Sequence, residues 1–161
     1  MSQTFEIPLD IPDVTIENVT TNRMGHIEIT VKSTVEGTPC HRCGKMTTQF
    51  YGEDREITFR HLPILGRKTF IHLRPKRYQC LHCDGNSTTT QTLSWYTPRS
   101  SFTKAYEKQI LLSLVNSTVQ DASIKEDIGY EAIMGIIDRY IEGDIHWEDM
   151  TRLDVTDFSV P

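Results

Sequence analysis

The sequence lacks any stretch that approaches the ~20 consecutive apolar residues a membrane-spanning helix needs. Its amino terminus, MSQTFEIPLDIPDVTIENV, has neither the basic start nor the apolar centre of a secretory signal peptide. Apolar residues make up only 37% of the 161 positions, so we expect one ordinary domain or two small ones with modest cores. Together these absences predict a cytoplasmic protein without a membrane partner, in which thiols stay reduced.

Cysteine is also scarce, and all four cysteines of the chain fall into two CxxC motifs. The first is Cys40-His-Arg-Cys43 followed by Gly44, and the second is Cys80-Leu-His-Cys83 followed by Asp84-Gly85. Zinc takes four soft ligands in a tetrahedron, and four thiolates leave no open coordination position for catalysis. The sequence therefore predicts one structural Zn²⁺ ion as cofactor, bound by Cys40, Cys43, Cys80 and Cys83.

Other uses of the cysteines are less well supported. A redox motif is typical of a thioredoxin-like βαβ pattern, and two disulfides need an oxidising compartment; the sequence indicates neither. No histidine is predicted as a ligand. Since the surrounding core is small, the metal is expected to contribute most of the folding free energy of this segment, on the order of 10 kcal/mol or more.

Charge is distributed unevenly along the chain. The net charge is −5, which alone argues against a nucleic-acid partner, but residues 36–110 carry 12 basic and 6 acidic side chains. This basic middle contains both cysteine pairs and lies between acidic ends. Phosphate contacts and an ordinary solvated surface explain such a cluster equally well. The basic residues predicted to contact DNA here are Arg42, Lys45, Arg67, Lys68, Arg74, Lys76, Arg77, Arg99 and Lys104.

Hydrophobic periodicity predicts an α+β fold: a β-rich zinc ribbon followed by a small helical helix-turn-helix region. Residues 1–16 are expected to be a loose lead-in, and alternation after His26 predicts a strand. Residues 57–62 and 68–74 predict a hairpin that turns at Leu65-Gly66-Arg67 and ends its strands at Pro63 and Pro75, whereas 87–90 are expected to be an exposed polar stretch. Helical spacing begins at residue 103, with further helices predicted at 119–126 and 130–141.

The last two helices have the pattern of a helix-turn-helix, whose second helix enters the major groove of DNA. That helix starts near Tyr130 and contains one basic residue, Arg139; both are predicted DNA contacts. Because its outward face is poor in donors for base edges, a helical bundle used for packing or dimerisation is an equal alternative.

The order of these elements resembles the amino-terminal half of ISL-three family insertion-sequence transposases. The resemblance rests on Cys40-His-Arg-Cys43-Gly44, Leu62-Pro63 with Gly66-Arg67, Arg77-Tyr78-Gln79-Cys80 and the helix-turn-helix. It implies a lead-in at 1–22, a zinc ribbon at 23–100, a helix-turn-helix region at 101–145 and a tail at 146–161 that leads towards an absent catalytic domain. The sequence departs from the family where His41 and Leu81 replace proline and where Asp127 replaces a turn glycine.

The resemblance implies a zinc-dependent DNA-binding module of a truncated transposase. It would recognise the terminal repeats of a transposon in double-stranded DNA, with a homodimer or a full-length transposase as further partners. Strand transfer needs several carboxylates holding two metal ions, and Asp157 alone cannot assemble that site, so no catalytic residue is predicted and the chain is not expected to be an enzyme. The alternative is a zinc-ribbon module for protein interaction or dimerisation, with no direct nucleic-acid role.

Overall fold

We describe residues 3–4 and 6–144 of the chain from a computed structural model. They divide into two compact units between Tyr106 and Glu107. In chain order the elements are β1 (Val14–Thr21), β2 (Ile27–Ser33), β3 (Thr38–Pro39), β4 (Met46–Thr47), β5 (Gln49–Glu53), β6 (Ile57–Ile64), β7 (Arg67–Leu73), β8 (Lys76–Gln79), β9 (Thr88–Thr90), α1 (Lys104–Ser113), α2 (Val119–Glu126) and α3 (Tyr130–Asp144). The predicted α+β class is confirmed. None of these helices is long and apolar enough to cross a membrane.

A four-stranded sheet, in the order β1-β2-β7-β6, forms the largest part of the first unit. Strands β6 and β7 are antiparallel, which confirms the predicted hairpin, and β2 lies parallel to β7. Alternate residues of these strands point to one face, as the period of two predicts. On that face the buried core consists of Ile29, Val31, Phe59, Ile71, Leu73, Leu93, Trp95 and Tyr96.

Two features of this sheet differ from the sequence-based expectation. Strand β1 occupies residues that include part of the predicted lead-in, and seven of its eight residues are exposed, so no apolar alternation marks it. Strand β6 continues past Pro63 to Ile64, with a register shift between His61 and Ile64. Pro63 lies inside this irregularity and has no partner residue on β7, so its missing N–H costs no ladder hydrogen bond.

The parallel pairing of β2 and β7 positions the cysteine pairs. Parallel neighbours have their carboxyl ends at the same edge of a sheet. Cys40 follows the last residue of β2 by seven positions, and Cys80 follows the last residue of β7 by the same number. The two CxxC segments therefore leave the sheet from adjacent strand ends.

The start of α1 is fixed by a buried polar contact within the first unit. The hydroxyl of Thr103 donates to Nδ1 of His61 at 2.8 Å, and its oxygen accepts the N–H of Tyr106 at 3.3 Å. The second ring nitrogen of His61 donates to the carbonyl of Leu9 at 3.3 Å. Thr103 is therefore the capping residue of α1, at the position where helical spacing begins in the sequence.

The second unit contains the predicted helix-turn-helix. Thr118 accepts the N–H of Asp121 at 3.0 Å and caps α2, and Ala122, Ile133 and Ile136 are fully buried. Asp127 ends α2 in the left-handed conformation (φ 51°), a position where glycine carries less strain. The turn that the sequence predicted is formed despite the aspartate.

Candidate metal centre and nucleic-acid interface

The first CxxC motif is the tip of a short hairpin. Strands β3 and β4 pair, and the N–H of Cys40 donates to the carbonyl of Lys45 at 2.9 Å. Gly44 has φ 72°, and its N–H donates to the carbonyl of Cys40 at 2.9 Å. The N–H of Arg42 lies 3.4 Å from the sulfur of Cys40. Such amides stabilise negative charge on a thiolate.

The second motif is built the same way. Strands β8 and β9 pair on either side of it, and the N–H of Cys80 donates to the carbonyl of Ser87 at 2.8 Å. Gly85 follows Cys83 by two positions and also adopts a positive φ, of 82°. The predicted exposed stretch at 87–90 is wrong: these residues are half-buried, and 88–90 form β9, the return strand of this hairpin.

The four sulfur atoms lie within 4.8 Å of one another. Cys40 Sγ is 3.7 Å from Cys83 Sγ, and Cys43 Sγ is 3.6 Å from Cys80 Sγ. A disulfide needs about 2.0 Å, so these are free thiols. Zinc at about 2.3 Å from four thiolates places them about 3.8 Å apart in a regular tetrahedron. The four cysteines therefore fit one structural Zn²⁺ ion, and among the described residues they are the group that could hold a metal.

The surroundings give the four thiols unequal pKa values. The backbone N–H groups of Cys43 and Arg42, followed by the hydroxyl of Ser87, lower the pKa of Cys40 to about 5. The side chain of Cys43, then burial and the other two thiols, raise the pKa of Cys83 to about 12. Four adjacent sulfurs cannot all be charged by themselves, whereas a divalent cation at their centre stabilises all four thiolates.

The structure does not bring the predicted basic residues into one cluster. Arg67 begins β7 and Arg74 follows its end, so at about 3.3 Å per residue they are about 23 Å apart. Arg67 donates to the carbonyl of Gly25, away from the cysteines, and Lys68 follows it on β7. The basic residues next to the metal centre in the chain are Arg42, Lys45, Lys76 and Arg77.

These basic residues differ in solvent exposure and in the contacts they already make. Arg42 and Lys45 are exposed on the first hairpin. Arg77 is half-buried: its guanidinium donates to the Thr88 hydroxyl at 2.7 Å and lies 5.8 Å from the centre of the Tyr51 ring. Lys76 is half-buried on β8, and Arg74 lies 3.9 Å from a carboxylate oxygen of Glu56. Arg42 and Lys45 are thus the predicted contacts most available to phosphate at this site.

Three other predicted contacts lie outside these hairpins. Arg99 is exposed in the left-handed conformation (φ 71°), and Lys104 is exposed at the start of α1. Tyr130, at the start of α3, is half exposed. All remain predicted DNA contacts.

Arg139 has a structural partner. Its guanidinium forms an ion pair with Glu107, whose side chain is only 1% exposed, and both belong to the second unit. A buried carboxylate needs such a partner, so Arg139 is held inside the helical unit. A contact of Arg139 with DNA remains a prediction.

Sequence reasoning missed the polar residues that support the metal centre. Ser87 Oγ lies 3.6 Å from Cys40 Sγ, and Thr89 Oγ1 contacts both the N–H and Nδ1 of His41 at 3.1 and 2.8 Å. The hydroxyl of Thr47 donates to the carbonyl of Gln79 and ties the first hairpin to β8. A β-prone threonine run directly after a CxxC motif was the available signal for these contacts.

Asp157, the residue placed opposite a catalytic aspartate by resemblance, lies outside the described residues, as does the tail at 146–161. The four domain ranges remain predictions. The unit boundary falls a few residues beyond the predicted division at 100–101.

Comparisons with known proteins agree with this geometry. Residues 36–83 match a family model described as the zinc-finger of transposase IS204/IS1001/IS1096/IS1165, and this range contains all four cysteines. Residues 91–141 match the helix-turn-helix domain of transposase family ISL3. No curated protein and no solved structure matches the chain. The chain thus contains a zinc ribbon and a helix-turn-helix domain of the ISL3 transposases, and on these two matches together it belongs to that family.

Proposed function

We propose that the protein recognises the terminal repeats of a transposon in double-stranded DNA and does so without catalysing strand transfer. The observation that carries the proposal is the cluster of four cysteine sulfurs, which fixes two basic hairpins next to each other. The family matches add a helix-turn-helix to the same chain. The reduced thiols that zinc needs are consistent with a cytoplasmic location.

The cysteine hairpins and the helix α3 have separate tasks in this proposal. Arg42 and Lys45 lie within and just after the first CxxC motif, so the metal fixes their backbone. Fixed cations contact phosphates with a smaller loss of conformational entropy than cations on a mobile loop. Tyr130 is exposed at the start of α3, and in other helix-turn-helix proteins the first residues of the second helix contact base edges. The hairpins supply affinity and the helix supplies position.

We assign a catalytic role to none of the residues. A zinc ion with four thiolate ligands has no position left for a substrate, and strand transfer uses carboxylates around two metal ions. A cleavage assay with supercoiled DNA and Mg²⁺ tests this assignment. Metal-dependent nicking by the purified protein would contradict it.

DNA binding is tested by fluorescence anisotropy with a duplex carrying the terminal repeat of an ISL3 element and a duplex of scrambled sequence. We expect tighter binding to the repeat and a steep loss of affinity with salt. Replacing both Arg42 and Lys45 by alanine removes two phosphate contacts. The slope of log K against log[salt] should then fall by about 2.

A charge-matched control uses Arg23 and Lys32, which are exposed on the same unit outside the predicted contact set. Replacing both by alanine changes the net charge equally and should leave the salt slope unchanged. Equal effects of the two double variants would refute the assigned surface. Failure to bind either duplex at low salt would refute the function itself.

A second candidate, association between protein chains, is favoured by exposed apolar residues in the helical unit. Leu112, Val115 and Ile124 are 72%, 65% and 71% exposed. Such side chains are common at interfaces between proteins. Sedimentation equilibrium of the wild type and of Ile124→Ser tests association, which predicts a mass that depends on concentration and less so in the variant. Association in a protein that binds neither duplex would favour this second candidate, whereas a mass that does not change with concentration would refute self-association.

A further inference from the structure

The three-stranded sheet β5-β8-β9 has one covered face and one open face. Tyr78 lies on the covered face, where it is 2% exposed and its hydroxyl donates to the carbonyl of Val35 at 3.4 Å. Its neighbours on β8 point the other way, because successive side chains of a strand alternate. We call this open side the outer face, and its residues are all exposed or half-buried: Gln49, Tyr51, Arg77, Gln79, Thr88 and Thr90.

The outer face is polar to its centre. It consists of two glutamines, two threonines, one tyrosine and one arginine, without an aliphatic side chain. The centre of an interface between proteins is usually apolar, whereas the base edges of DNA present hydrogen-bond donors and acceptors. Asp54, at the edge of this face, already accepts a hydrogen bond from Thr90 at 2.9 Å. The outer face therefore matches base edges better than a protein surface.

Cross-strand pairing arranges the outer face in two rows. Gln79 pairs with Gln49 on one side and with Thr88 on the other, and Arg77 pairs with Thr90. Two positions along a strand span about 6.7 Å, and two base-pair steps of DNA span about 6.8 Å. The backbones of the outer strands are about 9.6 Å apart, less than the ~12 Å width of the major groove. The sheet thus fits this groove in size and in repeat.

The two central side chains of the outer face are held in fixed orientations. Nη2 of Arg77 donates to the hydroxyl of Thr88 at 2.7 Å, and the guanidinium lies 5.8 Å from the centre of the Tyr51 ring. Nε of Arg77 is buried, so an outside contact uses the two terminal nitrogens. Nε2 of Gln79 donates to the carbonyl of Asn86 at 3.4 Å and has a second N–H. Fixed side chains lose less conformational entropy on binding.

The metal centre fixes the outer face relative to the predicted phosphate contacts. Gln79 directly precedes the ligand Cys80, and its carbonyl accepts the hydroxyl of Thr47 on the first hairpin. That hairpin carries Arg42 and Lys45. One duplex can therefore meet basic side chains at its backbone and the outer face in its groove.

We propose that the outer face enters the major groove of the bound duplex, where Gln79 contacts an adenine and Arg77 contacts a guanine two base-pair steps away. In other proteins glutamine and arginine recognise these bases through two hydrogen bonds each. The inference rests on the proposed DNA-binding function, to which it adds a second sequence-reading element besides α3.

Selection of duplexes from a randomised pool tests the two assignments. The wild type should enrich a motif in which adenine and guanine are separated by one base pair. Gln79→Ala should lose the preference for this adenine alone, and Arg77→Ala the preference for this guanine alone. In fluorescence anisotropy, changing either base should weaken binding by the wild type about tenfold and leave binding by the matching variant unchanged.

A change of specificity separates base contacts from general damage. Gln79→Lys should replace the preference for adenine by one for guanine, because lysine donates to guanine; loss of folding cannot produce this result. Gln3→Ala and Arg55→Ala make the same chemical changes at exposed positions outside the outer face and should keep the whole motif. Bound zinc and thermal unfolding show whether each variant is folded.

The outcomes distinguish this inference from the proposed function. A motif that is the same in the wild type, Gln79→Ala and Arg77→Ala overturns the base assignments and leaves DNA binding intact. Weaker binding of every duplex by these variants, without a change of motif, also overturns them. Failure of the wild type to bind any duplex overturns the proposed function.

Discussion

Loss of the metal should unfold the two cysteine hairpins and leave the four-stranded sheet folded. Cys43→Ser is the sharpest perturbation, because Cys43 is exposed whereas Cys40 and Cys80 are buried. Replacing Cys43 thus removes a ligand without opening a cavity. Leu81→Ser is the matched control, since Leu81 is 65% exposed within the second motif and is not a ligand.

The magnitude follows from what the hairpins bury. Within residues 36–53 and 76–90, the buried apolar side chains are Cys40, Tyr78 and Cys80. Burial of Tyr78 stabilises by about 1.5–3 kcal/mol, against about 10–16 kcal/mol for a structural zinc ion at neutral pH. The first hairpin pairs only two residues on each strand, and the second belongs to a three-stranded sheet, β5-β8-β9, in which Tyr78 is the buried apolar side chain. Sheets this small with so little apolar burial are marginally stable. Without zinc, the free energy of opening these hairpins should therefore fall close to zero.

Hydrogen exchange measured by mass spectrometry resolves the two regions. In Cys43→Ser, amides of 38–47 and 76–90 should exchange within roughly tenfold of an unstructured peptide. Amides of β2, β6 and β7 should keep their protection, because their core contains none of the cysteines. Equal loss of protection in β7 and in the hairpins would refute this reasoning, as would hairpins that stay protected without a fourth ligand.

Three further predictions concern single residues. Burial lowers the pKa of His61 below its ordinary value of 6.5, so the unfolded chain takes up a proton that the folded chain resists. The contribution of His61 to the free energy of unfolding is therefore complete above pH 6.5. As the pH falls below 6.5, the free energy of unfolding should decrease by at most about 1.4 kcal/mol per pH unit, and urea titrations should show a smaller decrease in His61→Gln. Ser87→Ala removes the hydroxyl beside Cys40 and should weaken zinc binding about tenfold in chelator competition, whereas Ser94→Ala should not; equal affinities would show that the hydroxyl is only a neighbour. Ile136→Ala should cost the helical unit about 2–5 kcal/mol in urea unfolding and Ile124→Ala almost nothing, because the first side chain is fully buried and the second is 71% exposed; similar costs would contradict the packing described above.

Local sequence signals predicted the metal ligands and the helices well. The CxxC motifs specify their own turns through Gly44 and Gly85, which both adopt positive φ. The starts of the last two helices were predicted at 119 and 130 and are observed there, since capping and apolar spacing are local properties. The hairpin at 57–74 followed from alternation and a glycine turn.

What the sequence could not show depends on partners distant in the chain. β1 forms a strand because it pairs with β2. Its residues are mostly exposed, so they carry no apolar alternation that would have predicted it. The parallel pairing of β2 with β7 joins segments separated by the whole first motif. The burial of Gln91 gave no signal, because its amide donates to the carbonyls of Val35 and Gly37, which are distant in the chain. The separation of Arg67 from Arg74 likewise appears only once β7 is extended.

The side-by-side arrangement of β2 and β7 has a consequence for the order of events during synthesis. Cys43 and Cys80 are separated by 36 residues, and an unstructured segment of that length would hold the two halves of the metal site apart most of the time. Pairing of these strands brings both halves together before any ion arrives. We therefore expect metal capture to follow sheet formation, so that the rate of zinc uptake by the newly made chain is set by β-pairing and not by the supply of the ion.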